Sequence, residues 1–136
     1  NILLGHHNDK PGFDANMSDP VFIFGDHTCI THISCTPFDI SQNVIPLKGS
    51  IRSTIWTYYA VQGKQEFQEY RRHWSELIVK KVILPCETLP NVFANLVSYF
   101  LEKKEQLGKE NRSLSSLRDE LLPKLLSGEL SVENLE

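Results

Sequence analysis

Short apolar runs separated by glycine, proline and small polar residues fill the first half of the chain. The uninterrupted run VFIF at residues 21–24 is followed by Gly25 and Asp26. A short, continuous apolar run that ends at a turn signal is typical of a strand buried on both faces. Three further segments have the length and composition of strands: residues 30–33, 44–47 and 77–84, the last of them stopped by Pro85.

One segment of this half has helical rather than strand spacing. Apolar residues fall at helical spacing here, and Gly63 follows at a place where glycine commonly ends a helix. The spaced residues are Ile51, Ile55, Trp56 and Tyr59. We therefore predict a helix over residues 53–62. Because strands and helices do not alternate along the chain, the pattern indicates an α+β domain with a mixed or antiparallel sheet.

The second half carries the longest regular pattern in the chain. Apolar residues at helical spacing run from Phe93 to Leu126, and a Ser-Gly pair at residues 127–128 ends the run. The pattern predicts one helix over residues 89–126, about 57 Å long if continuous. We expect its first turns to pack on the globular half and its distal leucines to pack on another helix. The leucines predicted to mediate this association are Leu107, Leu114, Leu117, Leu121 and Leu125.

These patterns divide the chain into three parts. Residues 1–88 are predicted to form a small globular domain, residues 89–128 the long helix, and residues 129–136 a C-terminal tail. The first residue is asparagine rather than methionine, from which we expect the chain to be a fragment of a longer protein.

Composition narrows the function classes. A chain that is 40% apolar and 23% charged can bury a core, and no apolar run approaches the roughly 20 residues of a membrane span. The net charge of −3 provides no bulk basic field for gripping nucleic acid, although a local patch could still do so. An odd number of cysteines and no recognisable secretory leader favour a cytoplasmic protein.

One local cluster, YRRHW at residues 70–74, is both basic and aromatic. Such residues can contact phosphates and bases, but they also occur on ordinary solvated faces, and a tryptophan is more often part of the core. Other basic side chains could share a surface with this cluster. The candidates for DNA contact are Lys48, Arg52, Lys64, Arg71 and Arg72.

A second cluster contains residue types that bind zinc. His27, Cys29, His32 and Cys35 lie within nine residues, but they lack the usual C-x-x-C spacing. On an extended strand, His32 would face away from the other three side chains. We therefore expect buried or half-buried strand residues, with no metal and no cofactor.

Two patterns could indicate catalysis. DPVF at residues 19–22 nearly matches the D-P-P-Y motif of amino-group methyltransferases, but no glycine-rich cofactor loop accompanies it. Asp26 and His27 could form an oriented base in a small hydrolase, yet no nucleophile spacing is recognisable around them. The alternative is a turn in which the side chains of Asp26 and Thr28 bond local backbone amides. We expect the chain not to be an enzyme.

The C-terminal segment LSSLRDELLPKLLSGEL at residues 114–130 resembles the C-terminal signature of the specificity subunit of type I restriction–modification enzymes. Three other segments resemble the same family in the same order. They are PVFIFGDHT at residues 20–28, NVIPL at residues 43–47, and HWSEL at residues 73–77 followed by VILP at residues 82–85.

This resemblance implies a function without catalysis. The complete specificity subunit has two target recognition domains, each followed by a conserved helix, and the two helices pair antiparallel as a spacer. Each domain reads one half of a split duplex DNA target, while the subunit positions methyltransferase subunits and recruits the restriction subunit. The chain resembles the second, partial recognition domain with its helix, and a second copy would then replace the missing helix in a homodimer. The rival interpretation is a coiled-coil adaptor whose globular half binds protein or peptide.

Overall fold

The computed structural model describes residues 10–130, so the predicted tail lies mostly outside the described residues. The described part has an α+β fold, as predicted. Its elements are, in order, β1 (Val21–Gly25), β2 (Thr31–Ser34), β3 (Val44–Leu47), α1 (Thr54–Val61), α2 (Trp74–Leu77) and α3 (Thr88–Leu126). The chain divides into two compact units, one that runs to Tyr99 and one that begins at Phe100.

The sheet is antiparallel and has the order β2-β1-β3. The predicted buried strand is its central strand, which explains why an uninterrupted apolar run is found there. Phe24 is fully buried, and Phe22 meets Tyr58 of α1 edge-on, with ring centroids 5.8 Å apart. Pro46, which cannot donate a hydrogen bond, lies on the edge strand β3 opposite Ile23.

The helix α1 confirms the prediction over residues 53–62. Ser53 caps its first turn by accepting a hydrogen bond from the Trp56 N–H at 3.2 Å. After the helix, Gly63 has a φ of +70°, a conformation that glycine adopts without strain. The sequence therefore specifies both ends of this helix locally.

The predicted strand over residues 77–84 is wrong. Leu77 is instead the buried last residue of α2, and residues 78–87 belong to no helix or strand. Side chains of this segment face solvent, with Val79 71% and Ile83 90% exposed. A strand requires a partner strand to bond its backbone, and β-branched composition alone does not supply one.

The long helix α3 confirms the predicted helix within one residue at its start. The helix begins at Thr88, and the carbonyl of the preceding residue, Glu87, accepts the Asn91 N–H at 3.3 Å. In the first unit, Phe93 lies edge-on to Tyr59 with centroids 5.5 Å apart. At the other end, Gly128 has a φ of +75° and its N–H bonds to the Leu125 carbonyl, which terminates the helix as predicted.

The apolar stripe at the start of α3 docks less fully than expected. Pro90 and Ala94 are buried and Phe93 contacts α1, but Leu96 remains 59% exposed. Within residues 10–130, no helix is both long enough and apolar enough to cross a membrane.

Candidate nucleic-acid interface

The basic and aromatic cluster lies at the end of an exposed loop, residues 66–72, which connects α1 to α2. Each of these seven residues is exposed, whereas Gln65 and His73 on either side are buried. The loop is therefore held at both ends while its side chains face solvent. A loop ordered in this way loses less conformational freedom when a ligand binds to it.

Asp26 fastens the C-terminal end of this loop. Its buried carboxylate accepts hydrogen bonds from the backbone N–H groups of His73 at 2.9 Å and Trp74 at 2.7 Å. Its backbone carbonyl also accepts the His73 N–H, at 2.8 Å. Asp26 thus satisfies the first N–H groups of α2, which would otherwise be buried without partners.

This arrangement corrects the prediction that Asp26 bonds amides within its own turn. Thr28 alone makes the predicted kind of local bond, because its hydroxyl accepts the Ile30 N–H at 3.4 Å. The Asp26 side chain reaches residues 47 and 48 positions further along the chain. Contacts at such separation leave no periodic signal in the sequence.

A buried polar network joins the two ends of the loop. The His73 Nε2 atom lies 3.1 Å from the Glu69 carbonyl, which can only accept, so Nε2 carries a hydrogen. The Gln65 amide nitrogen lies 3.3 Å from His73 Nδ1 and donates to a Glu76 carboxylate oxygen at 2.6 Å. The second Glu76 oxygen pairs with the Arg71 guanidinium at 2.8 Å. The network therefore fixes the loop through side chains that are fully or partly desolvated.

The Glu76 carboxyl titrates below its ordinary range. Desolvation by itself would raise its pKa, but the hydrogen bond from Gln65 and the charges of Arg71 and His73 outweigh that effect and lower the pKa. A carboxyl whose folded pKa is depressed stabilises the fold above its unfolded pKa of 4.5, and this contribution disappears as the pH falls through the folded value.

We expect the free energy of unfolding of Glu76→Gln to depend less on pH in the acidic range than that of the wild type. The wild-type chain should lose the contribution of Glu76 as the pH falls below 4.5, whereas the variant lacks the carboxylate responsible for that loss. Urea unfolding followed at a series of pH values measures the difference, with Glu66→Gln on the exposed loop as the matched control. Parallel pH profiles for Glu76→Gln and the wild type would contradict the role of this network.

The structure separates the members of the YRRHW cluster. His73 and Trp74 point into the core, where Trp74 lies 6.3 Å from Phe24 between ring centroids. Tyr70 is 79% exposed and stacks on the His27 ring, with centroids 4.7 Å apart and planes at 17°. The Arg72 side chain is 79% exposed, and its nearest carboxylate, on Asp26, is 3.8 Å away. Arg72 is therefore the arginine of this cluster most accessible to a phosphate or base.

The other candidate cations are more engaged with the protein. Arg71 pairs with Glu76 and, at 3.4 Å, with Glu69. Lys48 pairs with Asp19 at 2.6 Å. Each of these carboxylates would compete with a DNA phosphate for the cation.

Arg52 and Lys64 lie at other places in the fold. The Arg52 side chain is only 14% exposed and donates to the Pro85 carbonyl at 2.9 Å, so it ties the segment before α3 to the start of α1. Lys64 is exposed and borders an apolar groove. Across residues 10–130, no two of the five candidate cations share a bonding partner.

The zinc-type residues do not lie on one extended strand as predicted. His27 belongs to the turn after β1, and Cys29 has a φ of +55°, so the side chains do not alternate in the expected way. Burial, together with the nearby charges of Glu76 and Asp26, raises the pKa of the Cys29 thiol. In the described part of the chain, no three histidine, cysteine or acidic side chains are grouped to hold a metal ion.

The acidic residues of the two possible catalytic patterns, Asp19 and Asp26, both bond to other parts of the chain. The carboxylate of Asp26 bonds the start of α2 while the His27 Nδ1 atom has no hydrogen-bond partner among the described residues, so Asp26 does not orient His27 as a base. Asp19 pairs with Lys48, and Pro20 beside it is buried at the entry to β1. In both patterns the acidic side chain is engaged with another part of the fold.

An apolar groove, which the sequence did not reveal, lies on the first unit. It has a volume of about 460 Å³, which is within the range of ligand-binding pockets. Its walls come from α1, the unpaired segment after α2 and the first turns of α3. The lining residues are Trp56, Tyr59, Ala60, Lys64, Val82, Ile83, Leu89 and Phe93.

Comparison of the chain with protein-family models, curated proteins and solved structures gave no significant match.

Proposed function

We propose that this chain is a DNA sequence-recognition element of the kind found in the specificity subunit of type I restriction–modification enzymes. Its globular part reads one half of a split duplex target, and α3 is the spacer and association helix. The chain is not catalytic and requires no cofactor. It works in the cytoplasm by positioning methyltransferase and restriction subunits on the DNA.

The observation that carries this proposal is α3. A small α+β unit is followed by a 39-residue helix, more than three times the usual length of about 11 or 12 residues. Leu107 and Leu114 are 46% and 62% exposed and seven residues apart, and Leu121 continues the same spacing. A helix of this length with exposed leucines at regular intervals requires a partner, as a spacer helix would.

The exposed loop at residues 66–72 is the part of the first unit best suited to DNA contact. It presents Tyr70 and Arg72 to solvent on a backbone that Asp26 and His73 hold in place. An arginine can contact a phosphate or pair with a guanine edge, and an aromatic ring can stack on a base or sugar. The carboxylates around the loop disfavour indiscriminate binding to phosphates.

We expect the chain, combined with a type I methyltransferase subunit, to bind duplex DNA with a sequence preference. Binding should weaken steeply with salt because phosphate contacts release counterions. Arg72→Ala should reduce the salt slope by about one or relax the preference at one base position. Titrations of a labelled, randomised duplex library at two salt concentrations measure both effects, with Lys109→Ala on α3 as the matched control.

Two results would contradict different parts of this proposal. If the assembled complex shows no sequence preference, the DNA-recognition function is wrong. If the complex is sequence-specific but an Arg71→Ala, Arg72→Ala double variant binds as the wild type does, the loop is not the reading surface.

The second candidate function is an adaptor whose globular part binds protein or peptide. The apolar groove favours it, because such grooves bind the apolar side chains of peptides. Salt-dependent, sequence-specific DNA binding distinguishes the two functions, since an adaptor would not show it.

A further inference from the structure

The groove and the chain segments next to it contain several exposed apolar side chains. Ile83 is 90% exposed and Leu89 63% exposed, and both line the groove. Val79 and Val92, which are close in sequence to the lining residues Val82 and Phe93, are 71% and 61% exposed. Water-exposed apolar side chains grouped in this way are characteristic of an interaction surface rather than of an ordinary solvated face.

The charges near this surface are mostly basic. Lys64 is itself one of the lining residues, and Lys80 and Lys81 are exposed and immediately precede Val82 in the chain. The acidic residue nearest to Leu89 along the chain is Glu87, whose carboxylate lies 3.9 Å from the Arg52 guanidinium. A ligand that covers the groove therefore meets an apolar floor and the charge of Lys64, and two further lysines adjoin the lining residue Val82 in the sequence.

The shape of the groove suits a helix. Its two sides are formed by α1 and by the first turns of α3, and aromatic rings from both helices line it. Tyr59 of α1 and Phe93 of α3 contact each other at 5.5 Å between ring centroids, so a third helix would rest across both helices, with its axis about 8–10 Å from each of theirs. A bound helix would place apolar side chains at i, i+4 and i+7 in the groove.

We propose that this groove binds an amphipathic, acidic helix of a partner protein. Its apolar face rests on Trp56, Tyr59 and Phe93, and its carboxylates lie toward the lysines. No residue of the exposed loop lines the groove, and this inference holds whether or not the chain reads DNA.

The test uses the complete chain and a designed peptide as the probe. The peptide is a helix of about 18 residues, long enough to be helical, with leucine at i, i+4, i+7 and i+11 and glutamate at most other positions. Binding should change the fluorescence of Trp56, which lines the groove, and calorimetry gives the affinity. A matched peptide with lysine in place of glutamate should bind about tenfold more weakly, because its charge no longer complements the groove.

Two sets of variants locate the site. Ile83→Ser should weaken binding of the acidic peptide about tenfold, and its high exposure means that the substitution leaves the fold intact. Ile51→Ser is the matched control, because Ile51 is 69% exposed and does not line the groove. Replacing Lys64, Lys80 and Lys81 together with glutamate should invert the preference between the two peptides.

Several outcomes would overturn the proposal. Equal affinity for the acidic and basic peptides would exclude charge recognition, and an unchanged affinity in Ile83→Ser would place the peptide elsewhere. If Ile83→Ser converts a dimer into a monomer, a second copy of the chain covers the groove instead. Absence of binding at millimolar peptide would show that no acidic helix is the ligand.

Discussion

Asp26→Ala is expected to lower the free energy of unfolding by about 3 kcal/mol. The substitution removes the carboxylate that accepts the N–H groups of His73 and Trp74. The Trp74 N–H then has no acceptor, whereas the His73 N–H keeps its bond to the Asp26 backbone carbonyl. Hydrogen bonds to a charged group contribute about 1.5–3 kcal/mol, and the Trp74 donor left behind is partly buried at the start of α2. The loss also releases the C-terminal end of the exposed loop, so Tyr70 and Arg72 become less ordered.

Urea unfolding at neutral pH measures this loss. Asp26→Asn should be milder, because its amide oxygen can still accept the same N–H groups without the negative charge. Asp14→Ala, at an exposed aspartate, is the matched control and should change stability by less than about 0.5 kcal/mol. A similarly small change for Asp26→Ala would mean that the cap is not needed to hold α2.

The elements that the sequence predicted correctly are those determined by neighbouring residues. β1 is an uninterrupted apolar run, α1 has its serine cap and following glycine, and α3 has a glycine at its end. In each case a local pattern and a local terminator agree, so no tertiary information was required. The fold class follows from the order of these elements.

The errors occur where the outcome depends on distant contacts. Residues 78–84 have strand composition, but Asp26 caps α2 before them and Arg52 bonds the Pro85 carbonyl after them, and the segment does not join the sheet. Tyr58 rather than Ile51 occupies the buried face of α1, because the helix begins only at Thr54. A high β-propensity means that a segment is able to form a strand, but a strand forms only where a partner strand pairs with it.

In the candidate interface, too, the sequence indicated local features but not those that depend on distant contacts. The sequence identified the YRRHW cluster but could not separate its inward side chains from Tyr70 and Arg72. The role of Gln65 was missed, because a buried amide between two ends of a loop has no sequence pattern. The groove was missed as well, since Val82 and Ile83 were assigned to a strand that does not form.

The leucines of α3 give the second large expected effect. We predict that the chain self-associates through α3, because the leucines in the part of this helix after Phe100 are exposed at regular spacing. Burying one leucine contributes about 1.5–3 kcal/mol, so replacing three per copy should weaken association by at least about a hundredfold. The variant replaces Leu114, Leu117 and Leu121 with glutamine.

Light scattering and sedimentation equilibrium at tens of micromolar chain measure the oligomeric state. The wild type should be a dimer and the triple variant a monomer, with the helical circular dichroism of the first unit retained. Leu126→Gln is the matched control, because Leu126 is 80% exposed but lies on a different face of the helix from the three replaced leucines. The proposed function assigns these exposed leucines to association between helices. A monomeric wild type would therefore contradict the role of α3 as an association helix.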